Sequence, residues 1–166
     1  MITKEQFIES VMREISIVKH LAEKVTPENI NYKPTEKQRT TRELLGYLAF
    51  GPKTALMVAK SGDMSLFGTS MADQASVTME NFSEMMDKSA MEIKSTLESM
   101  TDDEMNEEVD LWNNGNTAPR SMHIMQLVLE AFVAYKMQLF LYLKASGHEH
   151  LNTSNVWQGK DPAPKE

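Results

Sequence analysis

The sequence predicts an all-α protein, a four-helix bundle with a long crossover between helices two and three. Three observations predict it. Four stretches place apolar residues every three to four positions, no stretch alternates as a strand would, and the Gly, Pro and Asn clusters fall between the periodic stretches. A length of 166 residues suits one domain, and 41% hydrophobic with 25% charged residues excludes disordered, collagenous and coiled-coil classes. The expected organisation is a bundle over 1–147 followed by a wrapping tail over 148–166.

Helix one is expected over 6–24, where Phe7, Val11, Ile15, Val18 and Ala22 recur on one face among Glu, Lys and Arg. Thr26-Pro27-Glu28 then supplies a short turn before the loop around Pro34. Thr40 with Glu43 three residues on forms a capping box, so helix two starts near Thr41, with Leu44, Leu45, Leu48 and Leu56 as its apolar face. Gly51-Pro52 inside that pattern predicts a kink rather than an end, because Pro removes a backbone donor. Residues 61–75, rich in Gly, Ser, Thr and Asp around Met64, Leu66 and Phe67, read as a long packed loop.

Helix three is expected over 77–100, with Phe82, Met86, Ala90, Ile93 and Leu97 in register. Residues 98–110 hold seven acids and no base, so this connection must be solvated, and Asn113-Asn114-Gly115-Asn116 closes it as a turn. Helix four runs over 119–145 to a capping Gly147, and its apolarity on nearly every face predicts the central helix. In the tail Trp157 is the expected anchor.

Charge and composition exclude several functions. Lys and Arg total 17 against 24 Asp and Glu, a net −7, which repels phosphate backbones and disfavours nucleic acid as a partner. The cluster Lys33, Lys37, Arg39 and Arg42 carries few aromatics beyond Tyr32 and reads as a solvated loop. With no cysteine there is no thiolate metal site or cysteine nucleophile. Residues 122–143 are long and apolar enough to mimic a membrane span. Glu130 and Lys136 would cost about 2.5 to 3.5 kcal/mol each at a bilayer centre, so no membrane is expected. Met1 to Gln6 lacks the basic and apolar runs of a signal peptide, which predicts a cytoplasmic protein.

Ile30-Asn31-Tyr32-Lys33-Pro34 followed by Arg39-Thr40-Thr41-Arg42-Glu43-Leu44-Leu45 resembles the entry to helix two in the DinB-like, or YfiT-like, damage-inducible superfamily of four-helix bundles. Residues 137–147, with Asn152-Thr153 and Trp157, are similar to that superfamily's last helix and tail, so the resemblance covers nearly the whole chain. It implies a divalent metal such as Zn or Ni held by three histidines, one on helix two and a pair four apart on helix four. In this sequence those positions fall on Tyr47, Ala131 and Tyr135. Two neutral phenols and a methyl cannot hold such a metal at ordinary affinity, so a degenerate metal site and no cofactor are expected. The resemblance also implies transferases acting on low-molecular-weight thiols, and pairing of chains through their helices into a homodimer.

Tyr47 and Tyr135 therefore mark a cavity in one of two ways. They line a small-molecule pocket, or they fill the vacated space with aromatic bulk, the commoner fate of buried Tyr. Glu43 and Glu130 lie close to these positions and are candidate acids or bases, against capping for Glu43 and solvation for Glu130. His20, His123, His148 and His150 fall outside the ligand positions, and no two are three or four apart. The leading expectation is a metal-independent member that binds a small apolar or thiol molecule, or a partner, between helices two and four. The alternative is a thiol-dependent S-transferase or metal-dependent hydrolase with a site rebuilt from Tyr47, Tyr135, Glu43 or His20. The fourteen methionines supply adaptable packing or a self-association surface.

Overall fold

The computed structural model describes residues 2–163, so Met1 and the last three residues of the expected tail, 164–166, lie outside the described residues. Helix α1, Lys4–Ala22, begins at a capping box: the Thr3 hydroxyl accepts from the Gln6 amide and the Gln6 side chain accepts from Thr3. It buries Val11, Ile15 and Val18 as its periodicity marked, and beside them Ile8, Ile17 and Leu21, whereas the expected Phe7 and Ala22 are only half-buried. The connection to α2 is pinned by main-chain bonds from Thr41 to the Tyr32 carbonyl and from Arg42 to that of Ile30, 2.9 Å each.

Helix α2, Thr41–Ser61, starts at the expected Thr40–Glu43 box and runs on through Pro52 to Gly62, whose φ of 75° is the left-handed conformation glycine tolerates. The expected packed loop over 61–75 is instead largely a helix, α3, Ser65–Ala75. Ser, Thr and Gly lower helix propensity by up to about 1 kcal/mol each, a weak preference that packing overrides. Here α3 lies across α2 so closely that a Cβ on Gly46 would come within 2.3 Å of the Gln74 carbonyl oxygen.

Helix α4, Phe82–Ser99, starts later than its pattern suggested, because Thr78 and Asn81 exchange side-chain and main-chain bonds in a turn. The acidic connection holds a one-turn helix α5, Asp102–Asn106, capped by Thr101 and Glu104. It also holds a ladder absent from the sequence expectation, β1, Glu108–Val109, antiparallel to β2, Ala118–Pro119. Two residues per strand are too few for alternation to show in a sequence. In the turn between them the Asp110 carboxylate accepts from the Asn114 and Gly115 amides, with Asn113 and Gly115 at φ 52° and 84°.

The last helix is continuous over Arg120–Ala145 but not uniform. It comprises α6, Arg120–Ile124, a six-residue π-helical segment, Met125–Glu130, and α7, Ala131–Ala145. It is not the enclosed central helix expected from its composition. Ile124, Val128, Phe132, Leu139, Tyr142 and Leu143 face α1 and α2, whereas Met122, Val133, Met137 and Leu141 are exposed. In length and apolarity it would suffice to cross a membrane, at a mean hydropathy of 1.4. Its Lys136 is nevertheless buried, bonded 2.5 Å from Glu14 of α1.

The tail folds back on α1 through a second π-helical segment, Ser154–Gln158. Its anchors are Leu151, Asn155 and Val156, all buried, and not Trp157, which is 62% exposed with its ring centroid 5.7 Å from the Lys136 ammonium.

Candidate functional site

Tyr47 projects from the middle of α2 and Tyr135 from the second turn of α7, and their rings meet at 4.4 Å between centroids, tilted by 49°. Gly51, one turn after Tyr47, makes room for this. A Cβ there would lie 2.8 to 2.9 Å from the Tyr47 ring, so the glycine is what lets the phenol lie along its own helix. The Arg39 guanidinium covers the pair, 4.7 Å from the Tyr47 centroid and 5.7 Å from that of Tyr135. Burial, helped by the neighbouring Tyr135 phenol, pushes the Tyr47 hydroxyl up to about 12 despite the opposing pull of Arg39. At neutral pH Tyr47 is therefore a hydrogen-bond donor and not a base.

Beside the pair opens a concavity of about 440 Å3. Tyr47 and Ala55 of α2, Phe67 of α3 and Trp112 of the 110–117 turn form one side. Gln126, Leu127, Glu130, Ala131, Ala134 and Tyr135 of the last helix form the other. The π-helical segment ends at Glu130, directly before Ala131. A π turn inserts one residue per turn and rotates everything after it by about 100°, so this local irregularity sets which side chains of α7 face the cavity. No Pro or Gly marks it in the sequence.

Of the residues singled out in the sequence, the fold brings Tyr47, Ala131, Tyr135 and Glu130 to one cavity. Glu43 is not among them. Its carboxylate accepts from the Thr40 amide at 2.7 Å and the Thr40 hydroxyl at 2.9 Å, bonds that hold it below the usual carboxylate range. It caps α2 and lines a separate cleft. His20 also lies elsewhere, 3.2 Å from the Asn155 amide in the strip that holds the tail. His123, buried, is hydrogen-bonded to the Val109 carbonyl at 3.2 Å.

Sequence reasoning missed Arg39 over the tyrosine pair, and Phe67 and Trp112 as walls of the cavity. Phe67 was read as the anchor of a loop and Trp112 sits in an acidic connection, so neither belonged to a pattern pointing at the site. The donor set does not fit a divalent metal: two phenols, one of them held protonated, and one methyl. Among the described residues no group of three His, Asp or Glu side chains converges as a cation site requires.

The helical bundle has the fold of a DinB-like protein. The chain superposes on the crystal structure of a DinB-like protein from Bacillus subtilis with a TM-score of 0.69 at 22% identity, covering 89% of this chain and 95% of that one. That protein is YjoA. In sequence, the uncharacterized protein YjoA of Bacillus subtilis strain 168 is 22% identical over 151 residues, 91% of this chain and 96% of the relative. No family model matches the chain.

Proposed function

We propose that the chain binds a small, mainly apolar molecule in the cavity beside Tyr47 and Tyr135, without a divalent metal. The observation that carries this is that the two phenols do not fill the space between α2 and α7. A concavity of about 440 Å3 remains beside them, within the usual range of small-molecule sites. Its walls combine Phe67, Trp112, Leu127 and three alanines with few polar groups, Gln126, Glu130 and the phenols. Such a lining favours an apolar body with one hydrogen-bonding group.

The test has two parts. Elemental analysis of untagged protein purified without chelator is expected to find zinc, nickel and manganese far below one per chain. Titration with N-phenyl-1-naphthylamine, an uncharged apolar fluorophore, is expected to saturate at one per chain, and Ala131→Trp is expected to abolish it. Near-stoichiometric metal that is lost in Tyr47→Phe, or probe binding that Ala131→Trp leaves intact, overturns the proposal.

We also propose that two chains pair along the last helix. Val133, Met137 and Leu141, four residues apart, form an exposed apolar stripe on the side turned away from α1 and α2. Sedimentation velocity is expected to show a dimer that Leu141→Lys dissociates.

A further inference from the structure

We propose that Arg39 is the anion-recognising residue of a second small-molecule site, which takes a compact organic carboxylate or phosphate. It lies in a cleft of about 540 Å3 between the α1–α2 connection and α3, where Arg39, Arg42, Asn31, Gln74 and Met71 form the lining. No lining residue is shared with the apolar cavity, but the Arg39 side chain rests on the Tyr47 and Tyr135 rings that border that cavity.

Arg39 is held at its backbone. Its carbonyl accepts from the buried Tyr142 hydroxyl at 3.1 Å, and the flanking main-chain bonds of Thr41 and Arg42 fix the strand of chain that carries it. Its guanidinium lies over two aromatic rings. Among the described residues that guanidinium has no hydrogen bond or ion pair, although a chain with 24 carboxylates offers many partners. A guanidinium lying against rings keeps its in-plane N–H groups available, and two parallel N–H bonds match the two oxygens of a carboxylate or phosphate. The ordering of the side chain is already supplied by the fold, so less is lost on binding.

The rest of the cleft narrows the ligand. Arg42 donates from Nε to the Val77 carbonyl and from Nη2 to that of Ala75, which holds a second positive charge in place. Glu43 faces the same cleft as a carboxylate already engaged by Thr40, so the lining carries two positive charges against one negative. That balance suits one small oxyanion, not a polyanion, and the overall charge of −7 opposes nucleic acid. Met71, 69% exposed, and Ala75 offer an apolar ledge for an organic body.

The test is calorimetric titration with benzoate, with phenyl phosphate and with uncharged benzyl alcohol. Benzoate or phenyl phosphate is expected to bind saturably in the submillimolar range, benzyl alcohol is not, and the stronger anion identifies the headgroup. Arg39→Gln is expected to weaken that anion at least about tenfold, the scale of one charged hydrogen bond. Arg39→Lys is expected to weaken it as well, because an ammonium cannot offer two parallel donors. Both variants should fold with at most a small change in thermal midpoint, since Arg39 is exposed and Arg39→Gln removes only the contact of its guanidinium with the two rings. Ala131→Trp, which blocks the apolar cavity, is expected to leave anion binding unchanged. No saturation by either anion up to about 10 mM, a free energy near −2.7 kcal/mol on the usual scale, overturns the site. So does affinity that Arg39→Gln leaves intact or that Ala131→Trp removes.

Discussion

Two glycines and one phenol decide the geometry between α2, α3 and α7. Gly46 has no room for a methyl against the Gln74 carbonyl, and backbone cannot yield as a flexible side chain can. Gly46→Ala is therefore expected to destabilise the fold by about 1–3 kcal/mol, the usual overpacking range, as read by urea denaturation. The Tyr47 phenol acts through its suppressed ionisation. Its unfolded value is 10.0 and its folded value is raised to about 12, so its contribution to stability is present below pH 10 and is lost as pH rises through about 12. Ultraviolet titration of the phenols is expected to show one late group near 12 that is missing in Tyr47→Phe.

At the scale of elements, α1 and α7 are joined by a buried ion pair. Lys136 and Glu14 expose only 5% and 14% of their side chains, so each depends on the other for its charge to be tolerated. Removing one partner strands the other in a low-dielectric interface, at a cost of about 3–5 kcal/mol, whereas replacing both by apolar residues is close to neutral. Lys136→Met alone is expected to fall in that range in urea denaturation, and the double variant Glu14→Leu with Lys136→Met to recover most of the loss. A double variant as unstable as the single one would show that the pair contributes through shape and not through charge.

For the whole molecule, the tail is attached to α1 by a polar network rather than by an aromatic plug. Asn155, fully buried, donates to Asp161 at 2.8 Å, and Lys24 of the loop after α1 bonds the other Asp161 oxygen at 2.7 Å. The bond from Lys24 holds the Asp161 carboxyl below its ordinary 3.8, with further lowering from His20 and Asn155. A depressed folded value means that the contribution is present above the unfolded value and is lost as pH falls below it. Protection factors for hydrogen exchange over 151–160, taken against the intrinsic rate at each pH, are expected to be high near neutral pH and to fall below about pH 4, and in Asp161→Asn to be low at both. Equal protection in the variant at neutral pH would assign the attachment to Leu151 and Val156 alone.

The sequence by itself determined the helices that depend on neighbours three or four residues away. The capping box at Thr40 and much of the faces of α1, α2 and α4 are local, because caps and amphipathic periodicity act within one or two turns. It also placed Tyr47, Ala131 and Tyr135 together, because a helical bundle aligns positions along facing helices and the likeness to a DinB-like fold sets which helices face. Tertiary contact decided the rest. Helix α3 forms where its composition suggests a loop, because Gly46 lets it approach α2. The π turn of the last helix, the exposed side of that helix and the choice of Val156 over Trp157 as tail anchor all depend on which surfaces meet. Phe67 and Trp112, distant in sequence, hold walls apart that no local pattern describes, because shape complementarity is a property of the packed whole.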